Sequence, residues 1–217
     1  MDVEKFVRFC GTDFGKSLLE KEAECIYQEL RGYQKILDVG CGIGTFEQRL
    51  ASWDITGLDD SEEMLKEAIK RSDKTFVLGN AESLDFSDSS FDAVFYVATL
   101  EFVTDYQRAI QEAYRITKSN GKLLVMMLNP ESEYFHEHFQ RTDSYFRKIK
   151  HADLRELQEY ISRFYQITKE EYFLGIKGQQ VFDTSDKRYA SLYVLVGKKT
   201  ATKAIELTPG LKTNFSH

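Results

Sequence analysis

The chain has 217 residues, a formal charge of −6, 42% hydrophobic and 29% charged residues, the proportions of one medium-sized globular domain with a sizeable core. Acids and bases are mixed along it with no broad basic stretch, so a phosphate-backbone partner is not expected. The opening MDVEKFVRFC is charged throughout, which fits neither a signal peptide nor a membrane span; Cys10, Cys25 and Cys41 are too widely spaced for a redox pair or a zinc set and suit free thiols in a reducing cytoplasm.

In chain order, residues 1–34 are expected to form an N-terminal helical segment. Short apolar runs then read as buried strands at Lys35 to Val39, Ile55 to Leu58, Thr75 to Leu78, Ala93 to Val97 and Lys122 to Leu128. Helical stretches lie between them. Ser61-Glu62-Glu63-Met64-Leu65 opens one with acids in its first turn. Thr104-x-x-Gln107 reads as a capping box ahead of the stripe Tyr106, Ala109, Ile110, Ala113 and Tyr114. Asn120-Gly121 is expected to end that helix. Strands and helices alternating at this length imply parallel pairing and an open α/β sheet.

The pattern changes after Asn129. Residues 130–150 are dense in aromatics and charges and read as an insertion over the sheet. A helix carrying Leu154, Leu157, Tyr160 and Ile161 follows, then β-like stretches from about Phe164 to Ile176 and Tyr189 to Lys198. Their link around Gly178 and Asp183 to Asp186 is turn-rich, so an antiparallel hairpin should close the sheet edge within residues 151–200. The tail, 201–217, has little apolar content to bury and is expected to fray.

Three strand ends carry candidate chemistry. After the first strand comes Gly40-Cys41-Gly42-Ile43-Gly44. Glycines there permit a tight turn and close approach of a ligand, and a helix from about Thr45 would point N–H groups at it. The alternating Gly40, Gly42 and Gly44 depart from the GxGxxG of dinucleotide folds, and Thr45 with Phe46 replaces the small residue wanted there. The second strand ends at Asp59-Asp60, about 20 residues on, where a carboxylate can accept both hydroxyls of a ribose; the competing role is a cap for the helix from Ser61. The third ends in Gly79-Asn80-Ala81-Glu82, turn chemistry by itself, and in this company a reader of adenine.

LDVGCGIGTF (37–46), ITGLDDSEEML (55–65), LGNAESLDFSDSSFDAVF (78–95) and the stretch from LEFV (100–103) to EAYRITKSNGKLLVMM (112–127) together resemble the class I S-adenosylmethionine-dependent methyltransferases. The resemblance implies a three-layer α/β Rossmann-like fold, with a seven-stranded, mostly parallel sheet and a C-terminal antiparallel hairpin. It implies S-adenosyl-L-methionine as cofactor and S-adenosyl-L-homocysteine as product. It further implies that Asp38 and the backbone of Gly40, Cys41, Gly42 and Gly44 hold the methionine end, with Asp59, seconded by Asp60, on the ribose. Asn80 with Ala81 and Glu82 would take the adenine, and the backbone from Tyr96 to Ala98 the methionine side. Thr12 to Lys16 with Glu22 resembles the cap that relatives fold over the cofactor.

The acceptor is expected to be a small molecule held under residues 130–150, where Tyr134, Phe135, Phe139, Tyr145 and Phe146 could clamp it or simply pack as a lid. His136 and His138 are candidates for a general base, against the plainer role of solvated lid histidines. With Glu133 or Glu137 they match a metal site only loosely, and no metal is expected. Glu101 could face the pocket or start a helix at the surface. A cofactor-binding partner without turnover and a nicotinamide-dependent oxidoreductase are the competing readings.

Overall fold

Neighbouring residues of the central strands enter two different cores. Leu37, Val94, Leu123 and Val125 belong to one apolar cluster, while Ile36, Ala93, Phe95, Leu124 and Met126 belong to the other. This period of two means both faces of one sheet are covered, so its strands read as unbroken apolar runs rather than alternating ones. The computed structural model describes residues 2–200; the tail at 201–217 lies outside them.

The strands are β1 (Lys35–Val39), β2 (Asp54–Asp59), β3 (Thr75–Leu78), β4 (Phe91–Val97), β5 (Thr117–Leu128), β6 (Tyr165–Lys177), β7 (Gln180–Phe182) and β8 (Ala190–Lys199), in the order β3-β2-β1-β4-β5-β8-β6-β7. The first five pair in parallel, whereas β8 runs antiparallel between β5 and β6. The helices are α1 (Val3–Gly11), α2 (Asp13–Leu30), α3 (Thr45–Arg49), α4 (Glu62–Arg71), α5 (Tyr106–Ile116), α6 (Glu133–Gln140) and α7 (Leu154–Ile161). Residues of α5 and α7 close one face, and residues of α2, α3 and α4 the other. These are the three layers expected. The chain leaves β1 toward β2 and β3, then returns to lay β4 on its other side, so a crevice opens at the carboxyl ends of β1 and β4.

Three local features differ from the sequence reading. Seven strands were expected, and β7 makes an eighth at the outer edge. Gly178, at φ +61°, turns the chain back so that Lys177 pairs with Gln180, a two-residue hairpin. The cap of α5 is Asp105, whose Oδ1 accepts the Arg108 N–H at 2.9 Å, and not the Thr104-x-x-Gln107 box. The amides of Thr104 and Asp105 both donate to Glu82 Oε1, at 2.7 and 3.0 Å, which fixes the helix start one residue later. Finally, α5 ends at Ile116, four residues before Asn120. That asparagine, at φ +64°, sits in a bulge of β5, where the partner of Phe91 is Thr117 and the partner of Ala93 is Lys122.

Among the described residues no helix is long and apolar enough to cross a membrane. No group of three or more His, Cys, Asp or Glu side chains there could hold a metal ion.

Candidate active site

The loop after β1 is shaped by glycine where nothing else fits. Gly40, Gly42 and Gly44 all have positive φ (+83°, +54° and +72°), a region that costs other residues about 1–2 kcal/mol. A Cβ at Gly40 would lie 2.3 Å from Thr99 Oγ1, so the loop also needs glycine to pass the end of β4. The Gly40 and Cys41 amides donate to Leu58 O at 2.7 and 3.0 Å, drawing the loop against the tip of β2. The helix expected from Thr45 is present but only five residues long.

Asp59 closes the same loop from the neighbouring strand. Its Oδ2 accepts the Gly42 N–H at 2.8 Å and its Oδ1 the Ser61 N–H at 2.9 Å. Burial raises its carboxyl above the ordinary range, opposed by those two amides. The alternative role, capping α4, belongs to Ser61, whose Oγ accepts the Met64 N–H at 3.3 Å. Asp60 is exposed beside it. One strand further, Asn80 Oδ1 accepts the Glu82 N–H at 2.8 Å in a tight turn and Ala81 is buried. The Glu82 carboxylate is engaged by the β4–α5 loop. Tyr96 turns its ring away into the α5 layer and donates to Ala109 O at 3.3 Å, which leaves only its backbone at the crevice.

Beneath the glycine loop lies a pair that the sequence reading half missed. Asp38 and Glu47 are both buried; Asp38 Oδ2 and both Glu47 oxygens find no hydrogen-bond partner. Burial, then the neighbouring Glu47 charge, pushes the Asp38 carboxyl well above the usual range, and burial takes Glu47 up to about 7. Glu47 in a helix's first turn reads as a solvated dipole partner. The signal that could have exposed it is Gly57 inside β2, where a Cβ would lie 2.6 Å from Glu47 Oε1. Burial, then the charges of these neighbouring acids, raises the Cys41 thiol well above its ordinary range.

Above the loop runs a continuous file of rings. Phe6 of α1 lies 3.5 Å from where a Gly42 Cβ would be. Ring centroids then follow at 6.4 Å to Phe9, 6.0 Å to Phe14 and 6.5 Å to Tyr134 of α6. Tyr134 continues to Phe146 at 5.9 Å, and Tyr145 packs tilted on Phe102 at 4.3 Å. The aromatics of 130–150 are thus a packed lid that also recruits the N-terminal helices. His136 is exposed, and His138 Nδ1 is 2.9 Å from Tyr134 O within its own helix. Glu101, expected at a surface or a pocket wall, is fully buried.

The chain matches the methyltransferase-domain family model over residues 37–125. It is 38% identical over 129 residues to a malonyl-[acyl-carrier protein] O-methyltransferase of Erwinia billingiae, covering 58% of this chain and 47% of that one. It is 35% identical over 102 residues to a demethylmenaquinone methyltransferase of Thermotoga maritima, covering 45% and 44%. It therefore spans about half the length of these curated relatives. Across nearly the whole fold it superposes on a solved SAM-dependent methyltransferase of Thermotoga maritima, described as a possible histamine N-methyltransferase, with a TM-score of 0.77, 25% identity, and 91% and 96% of the two chains covered.

Residues 37–125 thus match a methyltransferase domain, and the fold is that of a solved S-adenosylmethionine-dependent methyltransferase. The cofactor such methyltransferases use is S-adenosylmethionine, with S-adenosylhomocysteine as the spent form. The residues on the page fit that group. An orphaned buried carboxyl oxygen on Asp38 suits a ligand ammonium, and three glycines leave a cradle that side chains would fill. Asp59 ends the strand beside β1.

Proposed function

We propose that the chain transfers a methyl group from S-adenosylmethionine to a small-molecule acceptor, working mainly by positioning. One observation carries the reading. The tips of β3, β2 and β1 stand side by side in register, Asp38 opposite Gly57 and Asp59 opposite Leu78, so glycine loop, acid and Asn80 turn line one edge at strand spacing. In this reading Asp38 Oδ2 and the backbone of Gly40, Cys41, Gly42 and Gly44 receive the methionine end. Asp59 takes the ribose, with Asp60 at its rim. Asn80, Ala81 and the Glu82 backbone frame the adenine, and the Tyr96 backbone borders the methionine side. When bound, the cofactor's sulfonium supplies an activated methyl group. The protein's part is to orient the acceptor and exclude water beneath the ring file of α1 and α6.

The acceptors for which these relatives are named differ: a malonyl group on a carrier protein, a demethylmenaquinone, and histamine as a possibility. A shared core with differing acceptors supports placing acceptor choice in the segments outside it, 1–34 and 130–150.

The test is calorimetry with S-adenosylhomocysteine. Asp59→Ala should weaken binding by more than about tenfold, or about 1.4 kcal/mol, with the circular-dichroism spectrum unchanged. An unaltered affinity would take Asp59 out of the site. Stabilisation by NADH in place of S-adenosylhomocysteine would overturn the function.

A further inference from the structure

Glu101 stands where the two ends of the lid are tied down. Its carboxyl Oε1 accepts the N–H of Leu128, the last residue of β5, at 2.5 Å. Its carbonyl oxygen accepts the amides of Lys150 and His151 at 2.8 and 3.2 Å, where the insertion ends. The side chain is buried, and Oε2 has no hydrogen-bond partner. Among the described residues no cation pairs with it; its ionisation is governed by burial and by backbone amides. A buried carboxyl oxygen left empty is costly, on the order of 1–3 kcal/mol. The lid that covers it is aromatic: Phe102 packs tilted on Tyr145, a ring that feels the charges of Asp59, Asp60 and Glu101. From the other side Tyr134 feels a second buried carboxyl, Glu22 of α2, which Arg49 faces. The lid's own cations, Arg141, Arg147, Lys148 and Lys150, are exposed, with Lys148 Nζ 5.8 Å from the Tyr145 ring centroid.

At Glu101, a buried acid under π faces with no cation paired to it makes a poor place for an anion and a good one for a cationic nitrogen. We infer that the acceptor is an amine and that Glu101 Oε2 receives its nitrogen. The inference rests on the methyltransferase reading and deepens it. An ammonium has no lone pair to attack with. It must first lose a proton: the N–H electron pair stays on nitrogen, the proton passes to Oε2, and carboxylate plus ammonium become carboxyl plus neutral amine. Burial pushes the Glu101 carboxyl up to about 7, where it can hold a proton at neutral pH.

The experiment uses the full chain saturated with S-adenosylhomocysteine, titrated with matched amine, alcohol and carboxylate probes on phenylethyl, indolylethyl and butyl frames. Amines should bind at least about tenfold more tightly than the carboxylates of the same frame. Glu101→Gln should bring each amine down to its alcohol, leaving S-adenosylhomocysteine affinity unchanged. On the wild type, amine binding should also shift the Glu101 side-chain ¹³C resonance. Carboxylates binding as well as amines would overturn the inference, and this wild-type comparison stands even if the variant fails to fold. A variant that weakens amine and alcohol equally would reduce Glu101 to an anchor of the lid and overturn it too. Failure of S-adenosylhomocysteine to bind the wild type would instead strike the methyltransferase reading, and this inference with it.

Discussion

The two walls of the crevice are built by different means. The floor, at the tips of β1, β2 and β3, is made of backbone: glycine turns, amides and short acids, each placed by the strand it ends. The roof, formed by α1, α2, α6 and the segment to Lys150, is made of side-chain packing between stretches more than 100 residues apart, as in Phe14 against Tyr134. A floor of this kind is fixed by local rules, and unlike relatives can share it. A roof of rings can be rebuilt residue by residue without moving a strand, which suits a part that chooses the acceptor.

Breaking the floor should have the largest effect. Gly40→Ala must hold a side chain at φ +83° and push Thr99 aside. We expect a loss of about 3 kcal/mol, or roughly 10 °C in Tm by scanning calorimetry, together with loss of S-adenosylhomocysteine binding. A normal Tm would mean the loop relaxes freely, and the contrast with the roof would fail.

The roof should answer instead to pH. Burial raises Glu22 on α2 from 4.5 to about 8, against the pull of Arg49. The folded chain therefore binds a proton that the unfolded chain has released, between pH 4.5 and about 8. That contribution is complete below 4.5 and is lost as pH rises through the folded value, with a slope of up to about 1.4 kcal/mol per pH unit. Glu22→Gln, which carries no charge, should flatten the decline in Tm across this window by one proton's worth. Denaturant midpoints at several pH values measure it, and a parallel decline in the variant would remove Glu22 as the cause.

The same division explains what could be read from the sequence. Strand ends such as Thr75 and Leu78 follow from apolar runs bounded by turn residues, and the family's fold follows from strands alternating with helices. Gly40 to Gly44, Asp59 and Asn80 stood out because their chemistry is local to each strand end. Glu47 did not, and Glu101 reads from the sequence as a pocket wall or a surface helix start, not as a fully buried acid. An acid looks solvated in sequence, and its burial depends on Gly57 one strand away or on the return of the chain at Lys150. Likewise, Phe6 joins the site only through its position over Gly42, which no spacing within residues 1–34 reveals.

The smallest expected effect lies at the seam between floor and roof. Glu82, at the end of the β3 turn, holds the amides of Thr104 and Asp105, and so links the adenine side to the loop that carries Glu101. The sequence pattern assigns the start of α5 to Thr104 with Gln107. The structure assigns it to Asp105, while the Thr104 hydroxyl accepts from Lys150 Nζ at 3.0 Å on the surface. Asp105→Ala should cost about 1 kcal/mol, as loss of a helix cap does, whereas Thr104→Ala should stay within about 0.5 kcal/mol, as surface changes do. Urea midpoints of the two variants decide between the assignments. The reverse order would return the cap to Thr104 and shift the whole β4–α5 loop by one residue, and with it the backbone that sets Glu101 beneath the lid.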